Sequence, residues 1–199
     1  MKISPQKRIV AAVAALAVVA VVSAPLAAYA ADTKNTTVSA LVNSTISMTT
    51  SGTVSLTLSP TTASVVSSNS DTVTVNCNST SGYTLTLADN DTTVNLVSGA
   101  NNITAHAGTP AAPTALADGK WGFALPGAPF DASYTAENSA TASTTKWAGV
   151  PTSGAPFTLK NTSAVASNDV TTVWYAAKVA TTQPTGTYTD TVVYTATAK

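Results

Sequence analysis

Charge is scarce in this sequence. Only 9% of its 199 residues are Asp, Glu, Lys or Arg, against roughly 25% in ordinary domains. One arginine (Arg8), one glutamate (Glu137), one histidine (His106) and one cysteine (Cys77) are present. A single cysteine excludes an intramolecular disulfide. No lysine or arginine cluster follows Arg8, so there is no basic surface to displace counterions from phosphates, which argues against nucleic-acid binding. Anionic lipid is a poor partner for the same reason. His106 has no patterned partner. No serine stands in a G-x-S-x-G elbow, and nothing marks a nucleophile and base held side by side. His106 reads as an exposed loop residue, and no cofactor is implied.

The basic residues that do occur are unevenly placed. Lys2, Lys7 and Arg8 precede an apolar run from Ile9 to Val22, and Ser-Ala-Pro-Leu-Ala-Ala-Tyr-Ala follows. A positive start, an apolar middle and a small-x-small end form a secretory signal peptide. Residues 1–30 are therefore expected to be removed between Ala30 and Ala31. The clean apolar run is shorter than the roughly 20 residues that span a bilayer. The remaining chain holds six lysines and nine acids, a net charge of −3. No cysteine sits after the apolar run to carry a lipid. The expected location is the cell exterior, with no integral membrane partner implied.

What the chain has in abundance is Thr, Ser, Val and Ala. They alternate with period two. Val54, Leu56 and Leu58 interleave with Thr and Ser, as do Val73, Val75 and Cys77, and Tyr83, Leu85 and Leu87. One apolar and one hydroxyl face per segment is the pattern of antiparallel strands over a common core. Asn78-Ser79-Thr80-Ser81-Gly82 reads as a hairpin-like loop between two of these strands. Pro60, Pro110, Pro113, Pro151 and Pro184 mark strand ends. About nine strands are expected, in an antiparallel β-sandwich of immunoglobulin-like or fimbrial-like type. Residues 31–199 are expected to form one domain. Its midsection, about 98–156, is rich in Ala, Gly, Pro and Ser and is expected to decorate a regular frame, with a short strand at Lys120–Leu125.

A few residues stand out as candidates for binding or chemistry. Trp147, Phe130, Trp121 and Tyr134 fall in the midsection, where rings on loops can stack on sugars or proteins; in a small sandwich large rings more often close the core or its rim, and Trp147 is the better surface candidate. Trp174 faces away from Val173 and Tyr175. Cys77, on an apolar face, reads as a small buried hydrophobe. Asp89-Asn90-Asp91 offers oxygens to a cation, but lacks the glycine and distal glutamate of an EF-hand loop, and reads as a polar turn. Asp190 falls on the apolar face of the closing strand with Tyr188, Val192, Tyr194 and Ala196. An unpaired buried carboxylate is costly, so Asp190 belongs at a rim, by a bulge or beside a partner. A covalent cross-link from Asp190 to Lys160 or Lys178 is one way to relieve that cost.

Two short runs carry a resemblance. Ser81-Gly82-Tyr83-Thr84-Leu85-Thr86-Leu87 and Gly186-Thr187-Tyr188-Thr189-Asp190-Thr191-Val192 look like strands of small secreted bacterial surface β-sandwiches. The closing G-T-Y-x-D-T-V is similar to the last strand of spore-coat-U-like and fimbrial-type subunits. The wider layout resembles cell-wall-associated WxL-type proteins and other secreted proteins of very small host-attached bacteria. Trp121-Gly122-Phe123 and Trp174-Tyr175-Ala176 differ from W-x-L, and the cysteine pair common in coat and fimbrial subunits is missing. The export signal, the sandwich pattern, the low charge and the empty catalytic inventory point to a non-catalytic surface protein with structural or adhesive roles; the alternative is a carbohydrate- or protein-binding surface module that uses the midsection aromatics. Its partners would be other surface proteins, glycans or copies of itself. Low charge suits self-association, because little repulsion opposes it. Strand addition is one route. The segment Asn35–Thr50, with Val38, Ala40 and Val42 alternating, reads either as the added strand or as a first strand of its own domain.

Overall fold

The period-two pattern is realised as two β-sheets. The computed structural model describes residues 31–199 except 128, 136 and 138–142. The expected signal peptide, and Ala30 with it, lies outside the described residues. Among the described residues no helix occurs, and none is long and apolar enough to cross a membrane. The chain divides into two units, residues 1–41 and 42–199. The described part of the first, 31–41, has no regular structure and is exposed throughout.

The second unit carries nine strands among its described residues: β1 (Ile46–Thr49), β2 (Val65–Cys77), β3 (Tyr83–Asp89), β4 (Asn95–Ser98), β5 (Asn101–Ala105), β6 (Lys120–Ala124), β7 (Phe157–Asn161), β8 (Ala166–Val179) and β9 (Val192–Ala198). Six form one sheet in the order β1-β2-β8-β6-β5-β4, and three form the other, β7-β3-β9. Every pair is antiparallel except β5 with β6. The long β2–β8 ladder runs from Val65 opposite Val179 to Cys77 opposite Ala166, with a bulge after Val75. Alternation puts Val73, Val75, Leu85, Leu87, Val173 and Val179 inside, each 2% exposed or less. Burying such a side chain contributes about 1.5–3 kcal/mol, so these strands hold the two layers together. Cys77 is buried in the same face.

Three expectations change. The loop from Asn78 to Gly82 is not a hairpin, because β2 and β3 belong to different sheets. Gly82 makes the crossing possible. Its φ is +80°, and a Cβ there would lie 2.5 Å from Thr162, so only glycine fits without strain. The midsection is more than decoration. Besides β5 and β6 it contributes Leu116, Trp147, Ala148 and Val150 to the core, and bridges join Thr114 to Trp147 and Phe123 to Ala148. Gly149 allows that close stacking, since a Cβ there would come within 2.1 Å of the His106 carbonyl oxygen.

The third change concerns the N-terminal strands. Of Asn35–Thr50, only Ile46–Thr49 pairs, with β2. Val54, Leu56 and Leu58 are half-buried and alternate with exposed Thr53, Ser55 and Thr57 as a strand should. Yet this segment joins neither sheet. Side chains of β2 hold it instead. Ser51 N donates to Asp71 Oδ1 at 2.8 Å, and Asn69 Nδ2 donates to the Ser55 carbonyl at 3.2 Å. Spacing fixed the face of each side chain, but the backbone partner was chosen by long-range contacts.

Candidate binding groove

Six strands face three, so the smaller sheet cannot cover the larger one. Its outer strand β9 is an edge. Two adjoining cavities of about 340 and 640 Å³ lie between the extended 50–60 segment and residues 181–194, and the smaller one reaches β9 at Val192 and Tyr194. Val54, Leu56, Leu96 and Tyr188 line both, which makes them one elongated groove. Its larger end mixes Leu58, Ile103, Val179 and Pro184 with Thr181, Gln183 and Thr185. Its smaller end carries Asp71, Trp121, Tyr175, Asp190 and Tyr194.

Those polar groups are ordered by their own bonds. The Tyr175 and Tyr194 hydroxyls are 2.7 Å apart. Tyr194 also meets the Asp71 carboxylate, which can only accept. The chain of donation therefore runs from Tyr175 to Tyr194 to Asp71. Burial raises both tyrosine pKa values, and the negative charge of Asp71 adds to it. Neither hydroxyl is a source of protons near neutrality.

Asp190 sits just before β9, half-buried, beside Asp89 at the end of β3. Thr191 N donates to Asp190 Oδ1 at 2.8 Å, and Asp91 N donates to Asp89 Oδ1 at 2.8 Å. The second oxygen of each carboxyl is buried without a donor. Burial, with the charges of Asp89 and Asp91 nearby, pushes the Asp190 pKa up from 3.8 to about 6. Asp190 is thus half-buried with a second acid beside it.

The cross-link expectation is corrected. Lys160 bonds to Asp169 and to the Val170 carbonyl, and Lys178 pairs with Asp118 at 2.8 Å. Both amines are engaged away from Asp190. Asp89 and Asp91 form a polar turn, with Asp91 Oδ1 accepting from Thr93 N. No group of three or more His, Cys, Asp and Glu among the described residues is placed to hold a metal.

The midsection rings are core residues. Trp147 is 0% exposed, and Trp121 and Tyr134 are each 3% exposed. The Trp147 Nε1 donates to Ser143 Oγ at 3.1 Å, and the Trp121 Nε1 to the Val94 carbonyl at 3.2 Å. A ring without an accessible face cannot stack on a ligand, so of the two readings of Trp147 the structure has core packing and not the binding surface. Phe130 is half-buried and packs at 6.3 Å from the Phe157 ring. Trp174 lies half-buried on the opposite face of β8, as its position in the alternation implies.

His106 is also corrected, from exposed to 7% exposed. Its Nδ1 accepts from Ala117 N at 3.5 Å, which leaves Nε2–H to donate to Thr114 Oγ1 at 2.8 Å. Burial holds its pKa below the usual imidazole value, and Lys120 adds to that.

Sequence reasoning missed Asp71 and the two tyrosines it orders. The signal was present. Asp71, Val73, Val75 and Cys77 share one phase of the β2 alternation, as Asp190 shares one with Tyr194. Neither a family model, nor a curated protein, nor a solved structure matches the chain.

Proposed function

We propose that this chain is a non-catalytic protein of the cell exterior, built on an immunoglobulin-like or fimbrial-like sandwich, that contributes to a coat, a fibre or attachment to a neighbouring cell. The single observation that carries this reading is the pairing of two exposed features. One is a run near the N-terminus that leaves Val38, Leu41 and Val42 80–90% exposed; the other is an edge strand, β9, that pairs with β3 alone. Exposed apolar runs and free edges are liabilities in a solitary protein and assets in an assembling one. The secretory pattern of residues 1–30 and the sparse charge of the rest support the same reading. Candidate partners are copies of the chain, other surface proteins or glycans.

Fractionation of producing cells into cytoplasm, membrane, wall and medium tests the proposal. The expected result is a surface or medium fraction whose chain begins at Ala31. A cytoplasmic chain that keeps residues 1–30 contradicts it.

A further inference from the structure

We infer that the Asp89 and Asp190 carboxylates form a binding site for one divalent cation, calcium by its chemistry, where the end of β3 meets the start of β9. The site stands independently of the surface-protein reading above.

Two buried oxygens carry the inference. Asp89 is 1% exposed, and the Asp190 carboxyl lies within hydrogen-bonding reach of it. One oxygen of each already has a donor: Asp91 N for Asp89 Oδ1, and Thr191 N for Asp190 Oδ1. The second oxygen of each, Oδ2, is buried and has none. The other buried side-chain atoms without partners among the described residues are the hydroxyls of Ser68, Tyr134, Thr145 and Thr171. Those are neutral, and burying them costs far less than burying a carboxylate oxygen. Ionised carboxylates only accept, so neither acid can satisfy the other. No lysine answers them either. The ion pairs among the described residues join Lys34 to Asp32, Lys160 to Asp169 and Lys178 to Asp118. The charge of Asp91 adds to the negative field at Asp190. What the pair calls for is a positive group small enough to sit between its inner oxygens.

A divalent cation is such a group. Two carboxylates cancel its charge, so no net charge is left in the buried turn. Calcium takes roughly six to eight oxygens and accepts backbone carbonyls and water beside carboxylates, so two acids suffice without a cage of three. Two carbonyls lie at the same turn. Pro151 O accepts from Asp89 N at 2.7 Å, and Thr191 O accepts from Asn90 N at 2.9 Å. Each keeps a second lone pair. Donors that are all oxygen favour calcium or magnesium over zinc or copper. An irregular donor set favours calcium further, because magnesium demands near-ideal octahedral geometry. The route in is the groove, whose smaller cavity is lined by Thr189, Asp190 and Thr191. A two-acid site belongs at the weak end of calcium binding, with a Kd of about 10⁻⁴–10⁻³ M. An ion there ties the turn after β3 to the entry of β9.

The test titrates the purified chain, first stripped of metal with a chelator, with calcium chloride at neutral pH. Calorimetry is expected to give one ion per chain. The melting temperature should rise with calcium, and at ten times the Kd the folded-to-unfolded ratio should increase about elevenfold. D89N and D190N each put an amide donor beside the remaining carboxylate, so both should fold, and both should lose the calcium response. D118N, at an exposed acid paired with Lys178, should keep it. Amide resonances of the parent give a readout that needs no variant: calcium should move those of residues 89–91 and 190–192. No heat and no melting shift up to about 10 mM calcium, well above the expected range, would overturn the inference. So would a response that survives D89N or D190N, or resonance changes confined to other residues.

Discussion

Asp190 is held near two other acids, and the sign of its effect follows from its shifted pKa. In the fold its pKa is about 6, against an ordinary 3.8. The folded state therefore binds more protons than the unfolded one between these values. The contribution is fully present below the ordinary value and is lost as pH rises through about 6. His106 acts in the opposite sense. Its pKa is lowered by burial, so its contribution is present above the ordinary imidazole range and lost as pH falls. Subtracting the melting curve of Asp190→Asn from that of the parent isolates the first effect. The parent is expected to lose stability relative to the variant as pH goes from 4.5 to 7.5. A difference that stays flat over that range would contradict the raised pKa of Asp190. Trp147 offers a second residue-scale prediction. It is fully buried, so Trp147→Ala should destabilise the fold by about 3–5 kcal/mol, read from chemical denaturation. A variant of near-parent stability would mean the ring is not part of the core.

At the scale of elements, the regular strands were legible because each one repeats the same two-residue alternation. Val73 to Cys77, Tyr83 to Leu87 and Val173 to Val179 became buried faces of β2, β3 and β8. Alternation reports which side of a segment is wet. It does not report which neighbour its backbone binds, and there the reading diverged from the fold. The Val54–Leu58 segment alternates but belongs to no sheet, and the 78–82 loop joins two layers rather than two neighbours. The midsection was opaque for a different reason. Its packing depends on single close approaches, such as that of Gly149 to His106, which have no periodic signature. The groove lies between segments far apart in sequence, so only its polar residues left a trace. One element-scale prediction concerns the unpaired segment. Asn69→Ala removes its bond to the Ser55 carbonyl. Hydrogen exchange should then speed up across residues 53–59 and stay unchanged in β2 and β8. Protection lost equally throughout the sheet would show instead that Asn69 supports the fold as a whole.

At the scale of the molecule, the imbalance of six strands against three is the feature with the widest consequence. A sandwich with matched layers buries both inner faces. Here an extended segment held through side chains packs beside the larger sheet, and a groove of mixed polar and apolar lining remains. The same chain exposes an uncharged apolar run near its N-terminus. Three side chains of that size gain about 1.5–3 kcal/mol each on full burial. Association costs an estimated 4–15 kcal/mol in lost freedom, so the side chains alone give at most weak pairing. Concentration-dependent assembly rather than a permanent dimer is therefore expected. The most direct measurement is the solution mass of the secreted chain by light scattering across a wide concentration range. The account predicts a mass that climbs past the dimer as concentration rises. A single monomeric mass at every concentration would contradict it.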